Sequence, residues 1–310
     1  VADVAASHYG GLTTGVRLGL GAAEPAARRW WAPPPMKGVL DGLRKASGGR
    51  LPKWSPALPR PVNFVPKPQP LQRAERWSTF PAAPRATWGR SAATTGWTCC
   101  PASPSACFSA PASTSSTPQR MAGLCCGQPF ESKGLDDAAD HKSAELEAAL
   151  AEASEGGRHW PIVFDTSPCA YRMKKFLAGR LPLQDSVEFV HDTLLPRLKL
   201  TPQPQAVAVH PVCSVRKMGT ADKLMAIAGR CSAQVVAVDQ VQCCGFAGER
   251  GFMRPELNEH ALRHLKAALP AGCDSGYATS RTCEIGLSEM AELPYRSILY
   301  LVERCSREQP

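Results

Sequence analysis

The chain has 310 residues, 44% hydrophobic and 20% charged, enough to bury a core in one large domain or two to three small ones. No run approaches the roughly 18 uncharged apolar residues of a membrane-spanning helix, so none is expected. The formal charge of +9 would suit an acidic partner. The excess arginine, however, is scattered over the first 120 residues with no recognisable nucleic-acid motif and few interleaved aromatics, which argues against nucleic-acid binding.

The start, VADVAASHYGG, has neither an initiator Met nor the basic and apolar regions of a signal peptide, so the chain reads as a fragment of something longer. Residues 1–50 read as a helical segment, the tail of a missing upstream domain. Within it MKGVLDGLRKASGG has apolar positions at helical spacing and a Gly-Gly stop. Residues 51–76, containing LPKWSPALPRPVNFVPKPQP, read as a Pro-rich linker of extended character. Residues 77–120 are rich in Ala, Ser, Thr and Pro without a consistent period, the texture of a disordered stretch. With suitable codons, a one-nucleotide shift turns this stretch into a string beginning VVYFPSCATRN, with a strand, a cysteine turn, a helix and another strand. Its cysteine falls at Ala83. The expectation is that about residues 77–117 are translated out of frame.

From residue 121 the texture changes. ADHKSAELEAALAEASEGG is a helix, and WPIVFDTSPC is a short buried strand running into a loop. QAVAVHPVCS and AQVVAVDQVQCC repeat that pattern, an apolar strand with a cysteine at its end, and RPELNEHALRHLKAAL is another helix. Strands alternating with helices predict an α/β fold of two related lobes, each a small, mostly parallel sheet with flanking helices. Ligands in this class sit at the carboxyl ends of the strands. The first lobe is placed at 121–205, incomplete, and the second at 206–310. The duplication is visible in MAGLCCGQPFESKG and VQCCGFAGERGF, each followed by a helix and then by a strand leading to a further cysteine.

Thirteen cysteines in a chain without an export signal point to metal binding or catalysis rather than disulfides. The second lobe offers Cys213, Cys243, Cys244 and Cys283; the first offers Cys125, Cys126 and Cys169. Four thiolates per lobe could bind an iron–sulfur cluster or zinc. Zinc sites usually show two CxxC-like knuckles, which are missing here, and free cysteines can also be small buried hydrophobes. The glycine after each Cys-Cys pair lets the backbone fold tightly around a bulky inorganic core. Lys133, Lys217, Arg250 and Arg281 would offset negative charge. Cys231, Cys273 and Cys305 read as packing residues, and Cys99, Cys100 and Cys107 have no role.

The pattern of a cysteine, then CCG, then a later cysteine, twice over, resembles the cysteine-rich (CCG) domain pair of heterodisulfide reductase and the glycolate oxidase iron–sulfur subunit. GLCCGQPFESKG, VFDTSPCAYRMK, HPVCSVRKMG, CCGFAGERGFMRPELNEHAL and TSRTCEIGLS followed by PYRSILYLVE are similar to the C-terminal region of FAD-dependent D-lactate dehydrogenases. These are the cytochrome- or quinone-linked type, close to the D-2-hydroxyglutarate dehydrogenases. The resemblance implies an iron–sulfur electron-transfer module that passes electrons from a flavin towards a cytochrome or quinone acceptor. It implies partners in the flavin and ferredoxin-like domains of a parent polypeptide. It also implies a cytoplasmic location, with association at the inner face of the membrane through partners. FAD would belong to the upstream domain, and the chain is not expected to oxidise substrate alone. In heterodisulfide reductase each repeat ends in CxxC. Here Thr166 and Ser280 stand at the first of those positions, which favours an ordinary [4Fe–4S] cluster on Cys213, Cys243, Cys244 and Cys283. The first lobe, with three matching cysteines, would hold a labile cluster or none. The alternatives are a heterodisulfide-reductase-like cluster acting on a disulfide, and a zinc-bound or metal-free interaction domain.

His210, three residues before Cys213, reads as a strand-end histidine bonded to backbone, with cluster tuning or proton transfer as the other reading. Asp165 is expected to cap a turn. His141, His260 and His264 read as solvated. No Ser-His-Asp arrangement, Walker loop or GxGxxG is present.

Overall fold

The computed structural model describes residues 33–53, 55, 75–80, 113–116, 118, 123–157, 161–238, 241–248 and 250–306. Expectations for residues 1–32, for most of the Pro-rich linker, and for Ala83, Cys99, Cys100 and Cys107 lie outside them.

Helix α1 (Pro33–Ala46) opens on prolines, which the first turn tolerates because its N–H groups have no helical acceptor, and it carries Arg44 and Lys45 in its last turn. Arg44 donates from Nη1 to the carbonyl of Phe252 at 3.2 Å and from Nη2 to that of Met253 at 2.7 Å. The Lys53 N–H donates to the same Phe252 carbonyl at 2.7 Å, and its ammonium pairs with Glu289 at 2.6 Å. Helix α1 and the residues after it are thereby tied to the second lobe.

The first sheet is parallel throughout, in the order β2 (Ser113–Ser116), β1 (Glu75–Phe80), β3 (Ile162–Phe164), β4 (Leu183–Asp185). Two of its strands fall within, or overlap, the stretch that composition marks as irregular. Between them and β3 come α2 (Gln128–Glu131) and α3 (Asp136–Ala153); α4 (Ser167–Leu177) links β3 to β4. Helix α5 (Ser186–Phe189) starts directly at the end of β4 and winds into a π-helical turn at Val190–Leu194.

The second sheet repeats this order with β6 (Val235–Ala237), β5 (Val207–Val209), β7 (Ser275–Ala278) and β8 (Tyr295–Ser297), again all parallel. Its helices are α6 (Cys213–Lys217) and α7 (Ala221–Cys231) after β5, α8 (Arg250–Met253) and α9 (Pro255–Leu262) after β6, α10 (Arg281–Ala291) after β7, and α11 (Ile298–Ser306) after β8. The helix expected from RPELNEHALRHLKAAL stops at Leu262; a turn and a 3₁₀ segment at Lys266–Ala268 replace its second half. Leu262 and Leu265 are both buried in the core on either side of this break. Strands β3 and β5 are apolar and wholly buried, as expected of central parallel strands with helices on both faces.

One core crosses both lobes. Val163, Val187, Phe189, Val190, Leu194 and Leu195 of the first lobe pack into the same cluster as Val207, Val209, Leu224, Ile227 and Leu301 of the second. A smaller core on the first lobe joins Leu146, Leu150, Ile162, Phe164, Met173 and Leu177, with Met218 of the second lobe against it. The Ser167 N–H donates to the Thr279 carbonyl at 3.1 Å, and Arg250 donates to the Ser132 carbonyl at 3.1 Å, so hydrogen bonds also cross the seam.

Candidate metal centre

Each strand that ends in a cysteine places it just beyond its carboxyl end. Cys213 is the first residue of α6 after β5, and Cys283 lies in the first turn of α10 after β7; β5 and β7 are adjacent. Cys243 and Cys244 follow β6, on the other side of β5. Three neighbouring strands therefore deliver four thiols to one end of the sheet. Cys244 Sγ lies 3.0 Å from Cys283 Sγ. Cys243 is close enough to Cys213 and to Cys244 for their thiols to influence one another's protons. Cys213 and Cys243 are exposed and Cys244 and Cys283 are buried, so the site has an open and a closed wall.

The first lobe repeats the half of this geometry that its cysteines allow. Cys126 Sγ lies 3.0 Å from Cys169 Sγ. The N–H of Gly127 donates to Cys125 Sγ at 3.4 Å, as that of Gly245 donates to Cys243 Sγ at 3.4 Å. Both glycines have positive φ, +84° and +67°. A Cβ on Gly127 would sit 2.3 Å from the carbonyl oxygen of Ala139, and one on Gly245 would sit 2.4 Å from that of Leu257. Only glycine gives the left-handed turn and this approach to the following helix together. The turn is clamped a second time by a side chain. Ser143 donates to the Cys126 carbonyl at 2.9 Å, and Asn258 donates to the Cys244 carbonyl at 2.6 Å. Sequence reasoning missed these two residues. They stand 17 and 14 positions after their cysteines and differ in type, so aligning the repeats does not pair them.

The parallel register shows which first-lobe position answers to Cys213. Val209 pairs with Tyr277, so His210 stands beside Ala278, five residues before Cys283. Phe80 pairs with Phe164, five residues before Cys169. Phe80 thus corresponds to His210, and counting three on reaches 83, an alanine in this sequence.

The thiols share their protons unequally. Hydrogen bonds from Cys213 and then Cys244 pull the Cys243 thiol down to about 2, with the Gly245 N–H helping. Its bond to Cys243 and burial push Cys213 up, and bonds to Cys243 and Cys283 with burial push Cys244 up. Lys217 favours the Cys213 thiolate. Of the other basic residues singled out from sequence, Arg281 is buried and pairs with buried Glu284 at 3.0 Å, Arg250 reaches Ser132, and Lys133 is exposed.

His210 is buried, and its backbone N–H donates to the Tyr277 carbonyl at 2.9 Å, as a strand-end residue should. Its ring Nε2 is buried with no hydrogen-bond partner. Burial, then the Arg216 charge, lowers the imidazole pKa to about 4, against an opposing pull from Cys243. Asp165 is buried between β3 and α4. His141 pairs with Glu145, and His260 and His264 are exposed. Cys231 and Cys305 are core residues, and Cys273 is half-buried with its thiol towards the Ser275 carbonyl.

Among the described residues no three or more His, Cys, Asp or Glu side chains are placed to hold a single metal ion. The fit to a metal group rests on the donor set. Four cysteines without a carboxylate or imidazole donor are what soft, thiophilic centres take, and a coordinating thiol is deprotonated outright. The glycine turn and its clamp hold the adjacent pair in place.

Two parallel α/β lobes of one topology, each with a Cys-Cys-Gly turn beside a strand-end cysteine, define a duplicated cysteine-rich α/β protein. No protein-family model matches the chain. It is similar to the C subunit of the anaerobic glycerol-3-phosphate dehydrogenase of Escherichia coli K12, 26% identical over 141 residues, 42% of this chain and 35% of that protein. The same protein from Escherichia coli O157:H7 matches equally. The relationship is a distant one to a dehydrogenase component, and the match spans about a third of the relatives' length.

Proposed function

We propose that this chain is an iron–sulfur electron-transfer module of a flavin-linked dehydrogenase. A [4Fe–4S] cluster would be held by Cys213, Cys243, Cys244 and Cys283. The observation that carries this reading is the duplicated cradle, with the same glycine turn, the same sulfur-to-sulfur approach and the same place at the strand ends in both lobes. A cluster of this kind, when bound, takes up and gives back one electron at a time. The chain's own residues orient the thiolates, through Gly245 and Asn258, and keep Cys244 and Cys283 away from water. The exposed side at Cys213 and Cys243 is where a partner would approach. The distant similarity to a dehydrogenase subunit supports a place within a dehydrogenase.

The finer reading follows the sequence resemblance. The partner is the flavin part of a D-2-hydroxy-acid dehydrogenase of the D-lactate type, and electrons leave towards a cytochrome or quinone acceptor. Among the described residues no helix is long and apolar enough to cross a membrane. On this reading the module is cytoplasmic and held at the inner face of the membrane by partners. On this reading the first lobe offers Cys125, Cys126 and Cys169, and alanine stands at 83, the position that answers to Cys213. A frame change over about residues 77–117 accounts for that alanine, and sequencing the coding DNA tests it; an unbroken frame across independent reads would sink it.

Iron and acid-labile sulfide per chain, measured on anaerobically purified protein with EPR before and after dithionite, tests the function. About four of each are expected, one cluster in the second lobe. About eight would mean that the first lobe finds another ligand. Zinc in their place would leave an interaction domain. A cluster signal that changes when a disulfide is added would favour direct disulfide chemistry.

A further inference from the structure

His210 has a feature that the strand-end role does not use. Buried polar atoms in folded proteins are almost always hydrogen-bonded, and one that is not calls for a group that completes it. His210 Nε2 is such an atom in a residue only 3% exposed. Its position is firmly set. The backbone N–H is held by Tyr277 at 2.9 Å, Pro211 follows, and Arg216 Nε donates to the Pro211 carbonyl at 3.0 Å. His210 directly follows β5, between the strand that leads to Cys243 and Cys244 and the strand that leads to Cys283, and three residues before Cys213. On the iron–sulfur reading, this ring nitrogen, which is a donor in the tautomer protonated at Nε2, lies at the edge of the four-cysteine site without a partner.

We propose that His210 donates a hydrogen bond from Nε2 to a sulfur of the centre held by Cys213, Cys243, Cys244 and Cys283, and so raises the reduction potential of that centre. Reduction adds negative charge to the cluster and its sulfurs. A donor aimed at a sulfur stabilises the reduced form more than the oxidised one, and the potential rises. The effect belongs to one lobe. The register places Phe80, which has no donor, at the corresponding position in the first. A centre built there would be the weaker electron acceptor, and electrons would settle on the second lobe.

The test is an EPR-monitored redox titration of the full chain, purified anaerobically, as wild type, His210→Leu and His210→Gln, with iron and sulfide measured in each. In His210→Leu the cluster is retained and the reduced-to-oxidised ratio at a fixed potential falls about tenfold, a downward shift of about 59 mV for a one-electron couple. His210→Gln, which keeps an N–H donor, recovers at least half of that shift. An unchanged potential in the leucine variant overturns the proposal, as does an equal fall in both variants, which would mark a packing effect. Should the leucine variant not hold iron, His210→Phe, which copies the residue type found in the first lobe, supplies the apolar comparison under the same criteria. Wild-type protein without iron would overturn the iron–sulfur reading itself, a result distinct from a cluster whose potential ignores His210.

Discussion

Cys244 and Cys283 form the buried wall of the site, their sulfurs 3.0 Å apart, and on the proposed reading all four thiols are already in use as ligands. Cys244→Ser or Cys283→Ser should reduce bound iron by at least about fourfold, whereas Cys169→Ser in the incomplete first lobe should leave it within error. Equal losses from all three would place the cluster between the lobes rather than in the second. Gly245 and Gly248 separate two costs of replacing glycine. Both have positive φ, but a Cβ on Gly245 meets the Leu257 carbonyl at 2.4 Å, and one on Gly248 meets nothing within 4 Å. Gly248→Ala should cost about 1 kcal/mol, the backbone strain alone, and Gly245→Ala about 3 kcal/mol in urea unfolding. Similar values for both would mean that the helix after the CCG turn yields easily.

At the scale of elements, the junction of β4 and α5 depends on Asp185. Its carboxylate accepts from the N–H groups of Val187 at 2.8 Å and Glu188 at 3.1 Å, and Glu188 returns the bond to the Asp185 N–H at 2.8 Å. Removing this capping box with Asp185→Ala should cost about 2 kcal/mol. Burial raises the Asp185 pKa above 3.8, although Ser167 and the capped N–H groups oppose it. The folded protein therefore holds this proton more tightly than the unfolded chain. The stabilisation is complete below 3.8 and is lost as pH rises through the raised folded value. Against Asp185→Asn, the wild type should lose ground as pH increases across that window. Ground gained instead would put the carboxylate's hydrogen bonds ahead of its desolvation. The element pattern itself was readable in the sequence for β3, β5, β6 and α3, because apolar runs and helical spacing are local signals. Strands β1 and β2 were not readable. ERWSTF and STSS carry no alternation, and their pairing with β3 is a tertiary fact.

At the scale of the molecule, the lobes are two in topology and one in packing. Phe189, Val190 and Leu194 complete the core of the second lobe from outside its own residues. Residues 206–306 produced alone should expose that face, bind ANS and melt without a sharp transition, whereas the full chain should unfold cooperatively. A sharp transition in the isolated lobe would show that the shared core is dispensable.

The sequence by itself determined the duplication and the α/β class, and it picked out the seven cysteines proposed as metal ligands, because repeats, periodicity and residue type are written along the chain. It also singled out His210, but only as one of two readings. The tertiary structure decided which strands lie side by side, and so which thiols touch. It decided that α1 docks on the second lobe, that Asn258 and Ser143 clamp the CCG turns, and that His210 has a ring nitrogen without a partner. These depend on groups far apart in sequence meeting at the end of a sheet. Such meetings are set by strand order and close packing, and neither leaves a local mark in the sequence.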